Sequence, residues 1–348
     1  MNLQPLSEWS ETGSNLIFIF SPERAGSTML QLMLESHSRI YGLPEPNLLP
    51  PLKYLGYFDV APFGAAYEPI NQSLGVREFI GHLPGKEADY ITACRAYANT
   101  LYRKVISGHE SAYYFVDKTP ANVLVWDMIV QLYPAAKYIV LRRHPYALID
   151  SCARSFYLND YAKMAAENTR LVEHIRAVVE FLEESPVAKL TTSFETLTEH
   201  AEEEAKRILQ FLELEMEPTV VNYGNRPHET GAMGDPITAA GQTRPQERRA
   251  WQWAGNFASK PGHKAIADKM LAKISDGEMA IYGYPRAEWM KPVQAWLQKE
   301  RPAVQRLENP SYQWQRKIYF ILRGIVKKCI PRKWLVTLRY YCDVLLRP

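Results

Sequence analysis

A strand, a tight loop and the start of a helix follow one another near the N-terminus, and this order most constrains the fold. An apolar run from Leu16 to Phe20 leads into a loop at residues 21–26, and a helix-like stretch runs from Met29 to Leu34. Residues 24–28 hold one arginine, one glycine and two hydroxyls where a helix N-terminus presents free backbone N–H groups. The segment therefore predicts a cradle for a phosphate or a sulfate.

This loop differs from the Walker phosphate-binding loop. In the Walker pattern a lysine after the second glycine reaches the outer phosphates, and a hydroxyl and an acidic residue hold magnesium. With Gly26 on the second glycine, Ser27 takes the lysine position. The later apolar strand at residues 137–141 is followed by Arg142 and Arg143 rather than by a carboxylate. These residues favour a nucleotide bound by arginines and hydroxyls, in a reaction that requires no metal.

Two signatures resemble those of the sulfotransferases that use 3'-phosphoadenosine 5'-phosphosulfate (PAPS). The first signature is a strand followed by Pro-Arg-Ser-Gly-Thr-Thr and a leucine-rich helix. The residues that match it are Arg24, Ala25, Gly26, Ser27 and Thr28. The second signature is an arginine at a strand end with a serine eight residues later, and Arg143 and Ser151 have that spacing. Both signatures occur in the family order.

The resemblance implies that the two signatures bind opposite ends of the donor. The loop and Arg24 would hold the 5'-phosphosulfate. Arg143 would bind the 3'-phosphate through a charge-assisted pair of hydrogen bonds, and Ser151 would add a hydroxyl from the following helix. Trp251, much later in the chain, would pack at the edge of the nucleotide.

Three further segments resemble the same family. Residues 117–120 look like the Asp-Lys-Thr-Pro element that carries a catalytic lysine in the carboxylate-base branch, which includes protein-tyrosine and carrier-linked sulfotransferases. Residues 193–197 look like its Tyr-Glu-Asp-Leu element. Residues 233–236 resemble the late Gly-Asp-Pro segment of sulfotransferase domains that act on carrier-bound polyketide alcohols. The resemblance covers residues 14–260. The departures from the family pattern are Glu23, Ala25 and His144.

Sulfuryl transfer requires an acceptor alcohol in line with the sulfur, a base for its proton and positive charge on the departing phosphate oxygen. The resemblance implies that Lys118 and Arg24 supply this charge. Glu45 would be the base, because the carboxylate-base branch places a glutamate just after the first helix and its loop, and residues 41–50 match that context. His228, shortly before the Gly-Asp-Pro segment, is the alternative base.

Apolar, strand-like runs alternate with helix-like stretches along the chain. The runs are Leu16 to Phe20, Tyr113 to Val116 and Tyr138 to Leu141, and the helical stretches include residues 91–107, 121–132, 168–184 and 202–212. This alternation predicts an α/β fold with a P-loop-like parallel sheet flanked by helices, and the resemblance implies the sulfotransferase fold. Because ligands of such sheets bind at the carboxyl ends of the strands, we expect Arg24, Lys118 and Arg143 to converge there.

Residues 309–348 differ in charge from the rest of the chain. They carry nine Lys or Arg against one Asp, a net charge of +8 within a total of +3, which leaves −5 for residues 1–308. Apolar residues recur at helical spacing from Ile318 to Cys329, and Pro331 ends the run. The sequence therefore predicts a catalytic domain at residues 1–308 and a basic, aromatic, amphipathic helical tail at residues 309–348.

The tail is open to more than one interpretation. Basic amphipathic helices with aromatic residues fit a membrane surface, or a dock for an acidic partner such as a carrier protein. The alternative is a helical hairpin folded onto the catalytic domain with its lysines in water. Nucleic acid is not an expected partner, because residues 1–308 are acidic overall and contain no nucleic-acid-binding motif.

Cysteine use and hydropathy predict a location. The four cysteines are widely spaced and form no metal pattern, and no secretory apolar segment opens the chain. No stretch approaches the roughly 20 apolar residues of a membrane-spanning helix. The sequence predicts a cytoplasmic protein, with peripheral attachment to the inner membrane face as an alternative.

These patterns together predict a PAPS-dependent O-sulfotransferase whose acceptor is an amphipathic, lipid-like or carrier-bound alcohol. Two other classes stay open. A non-catalytic nucleotide-binding protein at the membrane periphery would bind the nucleotide without turnover. A P-loop-type kinase would require magnesium-dependent loss of ATP, and the missing Walker lysine argues against it.

Overall fold

A five-stranded parallel sheet lies at the centre of the computed structural model, which describes residues 9–60, 69–225 and 242–298. The strands are Leu16–Phe20 (β1), Ile40–Pro44 (β2), Tyr114–Lys118 (β3), Lys137–Arg142 (β4) and Lys189–Ser193 (β5). Their order across the sheet is β2-β3-β1-β4-β5, and every neighbouring pair is parallel. The predicted α/β architecture is confirmed.

Helices connect the strands and pack against the sheet. Within the described residues they are Ser27–Glu35 (α1), Pro50–Lys53 (α2), Pro69–Gly81 (α3), Glu87–Ile106 (α4), Trp126–Leu132 (α5), Pro145–Phe156 (α6), Tyr161–Glu167 (α7), Arg170–Glu184 (α8), Phe194–Glu199 (α9), Ala201–Phe211 (α10), Gln252–Ser259 (α11), Pro261–Leu271 (α12), Asp276–Ile281 (α13) and Lys291–Gln298 (α14). Long helices such as α4 and α8 serve as the crossover connections that a parallel sheet requires.

The central strand β1 is apolar at every position because both of its faces are covered. All five of its residues are buried. Phe18 stacks on Tyr138 of β4, with ring centroids 5.5 Å apart, and Phe20 contacts Phe181 of α8 edge-on at 4.8 Å. Such a continuous apolar run is typical of a parallel strand between helical layers. The strand therefore fixes the position of the loop that follows it.

One predicted helix has a different start. The expected continuous helix over residues 121–132 begins as a 3₁₀ segment, Pro120–Val125, and becomes α-helical only at Trp126. The Asn122 N–H donates to Thr119 O at 2.9 Å, which is the tighter i to i−3 pattern. The Asn122 side chain also donates to Asp117 Oδ1 at 3.0 Å, which ties this first turn to the end of β3.

No helix among the described residues is both long and apolar enough to cross a membrane. In the same part of the chain, no group of three or more His, Cys, Asp or Glu side chains is arranged to hold a metal ion. The predicted domain boundary at residue 308 and the tail at residues 309–348 lie outside the described residues.

Candidate active site at the carboxyl edge of the sheet

The loop between β1 and α1 adopts a left-handed backbone at two positions. Arg24 has φ 67° and Gly26, the N-cap of α1, has φ 98°. A β-carbon on Gly26 would lie 2.3 Å from the Phe194 ring, so this position accepts only glycine without a shift of the aromatic side chain. The backbone turn therefore brings the N-terminus of α1, with its unpaired N–H groups, to the edge of the sheet.

Arg24, Arg143 and Ser151, from the two signatures, meet beside this loop. Arg24 Nε donates to Ser151 Oγ at 3.3 Å, and Arg143 Nη1 donates to the Arg24 carbonyl at 2.9 Å. The Arg143 guanidinium thus supports the left-handed loop residue directly, although 119 residues separate the two in sequence. Two cations from the loops that follow β1 and β4 and a hydroxyl from α6 share one small region.

Neighbouring groups hold Arg143 in place, and its buried Nε donor is unused within the described part of the chain. Its guanidinium lies 4.1 Å over the Phe194 ring, and its backbone N–H and C=O both bond to the Tyr282 hydroxyl. Burial lowers the pKa of Arg143 to about 10, an effect that Glu195 opposes, so the guanidinium is charged at pH 7. Arg143 Nε is buried without a hydrogen-bond partner among the described residues. A buried cation with an unused donor fits an anionic ligand.

His144 is the N-cap of α6. Burial lowers its pKa to about 3, so the ring is neutral at pH 7. The neutral Nδ1 accepts the Tyr146 N–H at 3.2 Å and caps α6. The backbone N–H of His144 donates to Glu195 Oε1 at 3.1 Å, and Tyr284 OH donates to Glu195 Oε2 at 2.6 Å. The histidine that departs from the family pattern therefore has a structural function.

Glu23 turns away from the loop and contacts α6 and the N-terminus of α8. Asn168 Nδ2 donates to Glu23 Oε1 at 2.7 Å, and Cys152 Sγ lies 3.8 Å from the same oxygen. Burial raises the pKa of Cys152, and the neighbouring Glu23 carboxylate raises it further, so the thiol keeps its proton and can donate. This second departure anchors the loop from behind rather than placing a negative charge in the cradle.

Ala25 is buried, and its N–H donates to Pro22 O at 3.3 Å. The amide of Ala25 thus already has a partner and its methyl group is buried, and a contact of Ala25 with the donor stays a prediction.

Lys118, Glu45 and Thr28 form the second half of the site. Lys118 Nζ donates to Glu45 Oε1 at 2.9 Å and lies 3.5 Å from Thr28 Oγ1. The lysine side chain is only 1% exposed, and Glu45 is 17% exposed. Because β2 and β3 are neighbours in register, with Pro44 opposite Lys118, the carboxylate that follows β2 and the lysine that ends β3 must meet. The predicted base and the predicted cation are therefore brought together.

Two further predictions concern residues later in the chain. His228 lies outside the described residues, as does the Gly-Asp-Pro segment. Trp251 is half-buried, donates from Nε1 to Glu199 and lies 6.4 Å from the His144 ring, whereas Trp253 stacks on that ring at 4.3 Å. A contact between Trp251 and the nucleotide stays a prediction.

Several residues of the site were not assigned roles from the sequence. Glu195 lies in the segment at residues 193–197, so its resemblance to the family element was a usable signal. Phe194 lies in the same segment. Tyr282 and Tyr284 are 139 and 141 positions away from Arg143, and no local pattern indicates them.

Comparisons with known proteins bear on the family of this chain. A family model described as the sulfotransferase family matches residues 16–218. Nodulation protein NoeE of Sinorhizobium fredii is 31% identical over 137 residues, which is 39% of this chain and 30% of that protein. An uncharacterized protein of Aquifex aeolicus is 26% identical over 228 residues, or 62% of this chain and 28% of that protein. The chain spans about three tenths of the length of these relatives.

Solved structures with similarity to this chain include two sulfotransferase domains. The domain from the Synechococcus PCC 7002 olefin synthase is 22% identical with a TM-score of 0.46, over 76% of this chain and 98% of that chain. The domain from the curacin biosynthetic pathway is 20% identical with a TM-score of 0.42, over 82% of this chain and 98% of that chain. Since the family model covers more than half of the 348 residues, and its span includes both signatures and the Lys118–Glu45 pair, this chain belongs to the sulfotransferase family.

Proposed function

We propose that this protein transfers a sulfuryl group from PAPS to the hydroxyl of an amphipathic, lipid-like or carrier-bound acceptor. The observation that carries the proposal is the meeting of two groups at one sheet edge: the Arg24, Arg143 and Ser151 cluster, and the ion pair of Lys118 with Glu45 at 2.9 Å. A donor with a phosphate on each side of its ribose requires more than one cation, which the cluster supplies, and a transfer reaction requires a base near the sulfur.

The donor would lie across this edge. Arg143, with its unused buried Nε, and Ser151 would bind the 3'-phosphate. Arg24 and the N–H groups at the start of α1 would bind the 5'-phosphosulfate, because a helix N-terminus favours anions. Such binding would place the sulfur near Lys118 and Glu45.

The chemical step would be an in-line displacement at sulfur. The acceptor oxygen forms the new S–O bond as its proton passes to the Glu45 carboxylate, and the bond between sulfur and the 5'-phosphate oxygen breaks. The leaving group, adenosine 3',5'-bisphosphate, gains negative charge on that oxygen, which Lys118 stabilises. The side chains position the reactants and stabilise charge, as in phosphoryl transfer.

Exposed apolar side chains in the segment that follows β2 support an amphipathic acceptor. Tyr54 and Leu55 follow α2 closely and are exposed, as are Ile70 and Leu74 on α3. The two segments are linked, because Arg77 Nε donates to Tyr57 O at 3.2 Å. An acceptor with an apolar chain could cover these side chains while its hydroxyl reaches Glu45.

Sulfuryl transfer from ³⁵S-labelled PAPS to a fractionated lipid and metabolite extract tests the function. We expect a labelled product and release of adenosine 3',5'-bisphosphate. Arg143→Gln should weaken binding of adenosine 3',5'-bisphosphate by about tenfold or more while leaving adenosine 5'-phosphate affinity unchanged, since a charge-assisted bond is worth roughly 1.5–3 kcal/mol. Calorimetry with both nucleotides measures this selectivity.

Two results would contradict the proposal. Nucleotide binding without transfer to any acceptor would favour the non-catalytic interpretation. If Arg143→Gln lost affinity equally for the two nucleotides, the assignment of Arg143 to the 3'-phosphate would be wrong.

We also propose that residues 309–348 bind an anionic membrane surface or an acidic carrier protein, on the basis of their net charge of +8. The full chain should cosediment with vesicles that contain phosphatidylserine, and less so at high salt. Substitution of Lys327, Lys328, Arg332 and Lys333 by Gln should reduce this binding. Equal vesicle binding by the substituted and the wild-type chains would reject a membrane role. Equal affinity of these two chains for an acidic carrier protein would reject a carrier-protein role.

A further inference from the structure

The segment that carries Glu45 has an uncommon backbone. Glu45 has φ 45° and Asn47 has φ 52°, so two non-glycine residues separated by Pro46 both adopt left-handed conformations. Such residues are uncommon, and a run of this kind persists only where the surroundings fix it. The orientation of the Glu45 carboxylate therefore depends on contacts that hold this turn.

Two hydrogen bonds hold the turn. The Asn47 side chain donates from Nδ2 to the Glu45 carbonyl at 2.8 Å, which closes the turn on itself. The Asn47 backbone N–H donates to Thr119 Oγ1 at 3.1 Å, which attaches the turn to the residue directly after Lys118. The contact with Thr119 links Asn47 to another segment of the chain.

The Thr119 hydroxyl is itself fixed in direction. A backbone N–H can only donate, so Thr119 Oγ1 accepts from Asn47 and its own proton goes to Asp117 Oδ1, 2.9 Å away. Asp117 is buried and also accepts from Tyr102 OH at 2.6 Å and from Asn122 Nδ2 at 3.0 Å. Burial raises the pKa of Asp117, and these three hydrogen bonds oppose that effect.

We propose that Thr119 is a positioning residue for the base: its hydroxyl connects the buried Asp117 to the Glu45–Asn47 turn and so sets the Glu45 carboxylate against Lys118. The proposal rests on the function proposed above, in which Glu45 takes the acceptor proton. Lys118 precedes Thr119 on the same backbone, so one short segment aligns both members of the ion pair. A hydroxyl that accepts and donates at once is required here, and an isosteric valine would satisfy neither bond.

The test compares Thr119→Val with Thr119→Ser in the full-length protein. Thr119→Val should lower kcat for sulfuryl transfer by about 10- to 100-fold with the donor KM unchanged, because small displacements of a reacting group have effects of this size. Thr119→Ser keeps the hydroxyl and should restore most of the rate. Thr100→Val, which removes an exposed hydroxyl bonded to Ala96 O on α4, is the matched control.

A double-mutant cycle identifies the residue through which Thr119 acts. In a Glu45→Gln background, Thr119→Val should cause no further loss, because the base is already absent. A further loss in that background would assign the effect to Lys118 and overturn the inference. Full activity of Thr119→Val, together with an inactive Glu45→Gln, would also overturn it. Full activity of Glu45→Gln would instead refute the base assigned in the proposed function.

If Thr119→Val does not fold, Thr119→Ala is the second variant. Alanine removes the hydroxyl, and with it the bonds to the Asn47 N–H and to Asp117, without placing an added methyl group against the carboxylate. A fall in kcat with unchanged donor KM supports the inference, and an unchanged kcat contradicts it.

Discussion

Glu45→Gln is expected to lower the rate of sulfuryl transfer by about 10²- to 10⁴-fold, the usual contribution of a general base. Glutamine is nearly isosteric and can still accept the hydrogen bond from Lys118 Nζ that Glu45 Oε1 accepts at 2.9 Å. The fold and the lysine position should therefore survive, and only the capacity to take the acceptor proton is lost. Single-turnover kinetics with saturating donor measures the chemical step directly.

Donor binding separates this loss from a general disturbance of the site. Adenosine 3',5'-bisphosphate should bind Glu45→Gln with an affinity within about threefold of the wild type, because the phosphates are assigned to Arg24, Arg143 and Ser151. Glu213→Gln is the control, since Glu213 also pairs with a lysine, Lys137, at 2.7 Å but lies by the opposite end of the sheet.

Retention of activity in Glu45→Gln would direct attention to His228, the alternative base. The same kinetics on His228→Asn would then decide between the two. A loss in His228→Asn together with an active Glu45→Gln would assign proton transfer to the segment at residues 226–241 rather than to the turn after β2.

The parts of the fold that the sequence predicts are those with a local cause. β1 is apolar at all five positions because it is central and covered on both faces. Its apolar run can therefore be recognised in the sequence without knowledge of the neighbouring strands. The loop after it, and the spacing from Arg143 to Ser151, are likewise contained in short segments. These elements appear in the structure at the predicted places.

The edge strands β2 and β5 were not predicted, for a physical reason. Among the described strands each pairs with a single neighbour, and each is partly exposed, so its sequence has no continuous apolar run. The sequence of β2 contains Gly42 and Pro44, and β5 carries Thr191 and Thr192. Glycine and proline are typical of turns when they are considered without the sheet that pairs with them, and the five residues of β5 include only one apolar side chain.

The supporting contacts of the site depend on tertiary structure in the same way. Tyr282 bonds to both backbone groups of Arg143 from 139 positions away, and Asn168 reaches Glu23 across 145 positions. Neither pair has a sequence spacing that indicates contact. The side chains that would contact the donor could therefore be predicted from motifs, whereas the residues that hold them could be assigned only from the fold.

Lys118→Met is expected to lower the transfer rate by about 10²- to 10³-fold, comparable to the loss of a preorganised charge-stabilising group in other enzymes. Methionine fills similar space but carries no charge, and the lysine side chain is 1% exposed, so little water can replace it. The negative charge that develops on the departing phosphate oxygen would then lack its nearest assigned cation. Lys137→Met, which removes a lysine by the opposite end of the sheet, should leave the rate unchanged.

The rate should fall more than the affinity for the bisphosphate, because stabilisation of a developing charge is stronger in the transition state than in the bound ground state. Equal losses in the transfer rate and in the affinity would make Lys118 a binding residue only.

The double variant Glu45→Gln, Lys118→Met provides the sharper comparison. Since the two side chains form one ion pair at 2.9 Å, their effects should be less than additive, with the double variant close to the worse single one. Fully additive losses would mean that base and cation act independently, and the shared alignment inferred for Thr119 would have no kinetic consequence.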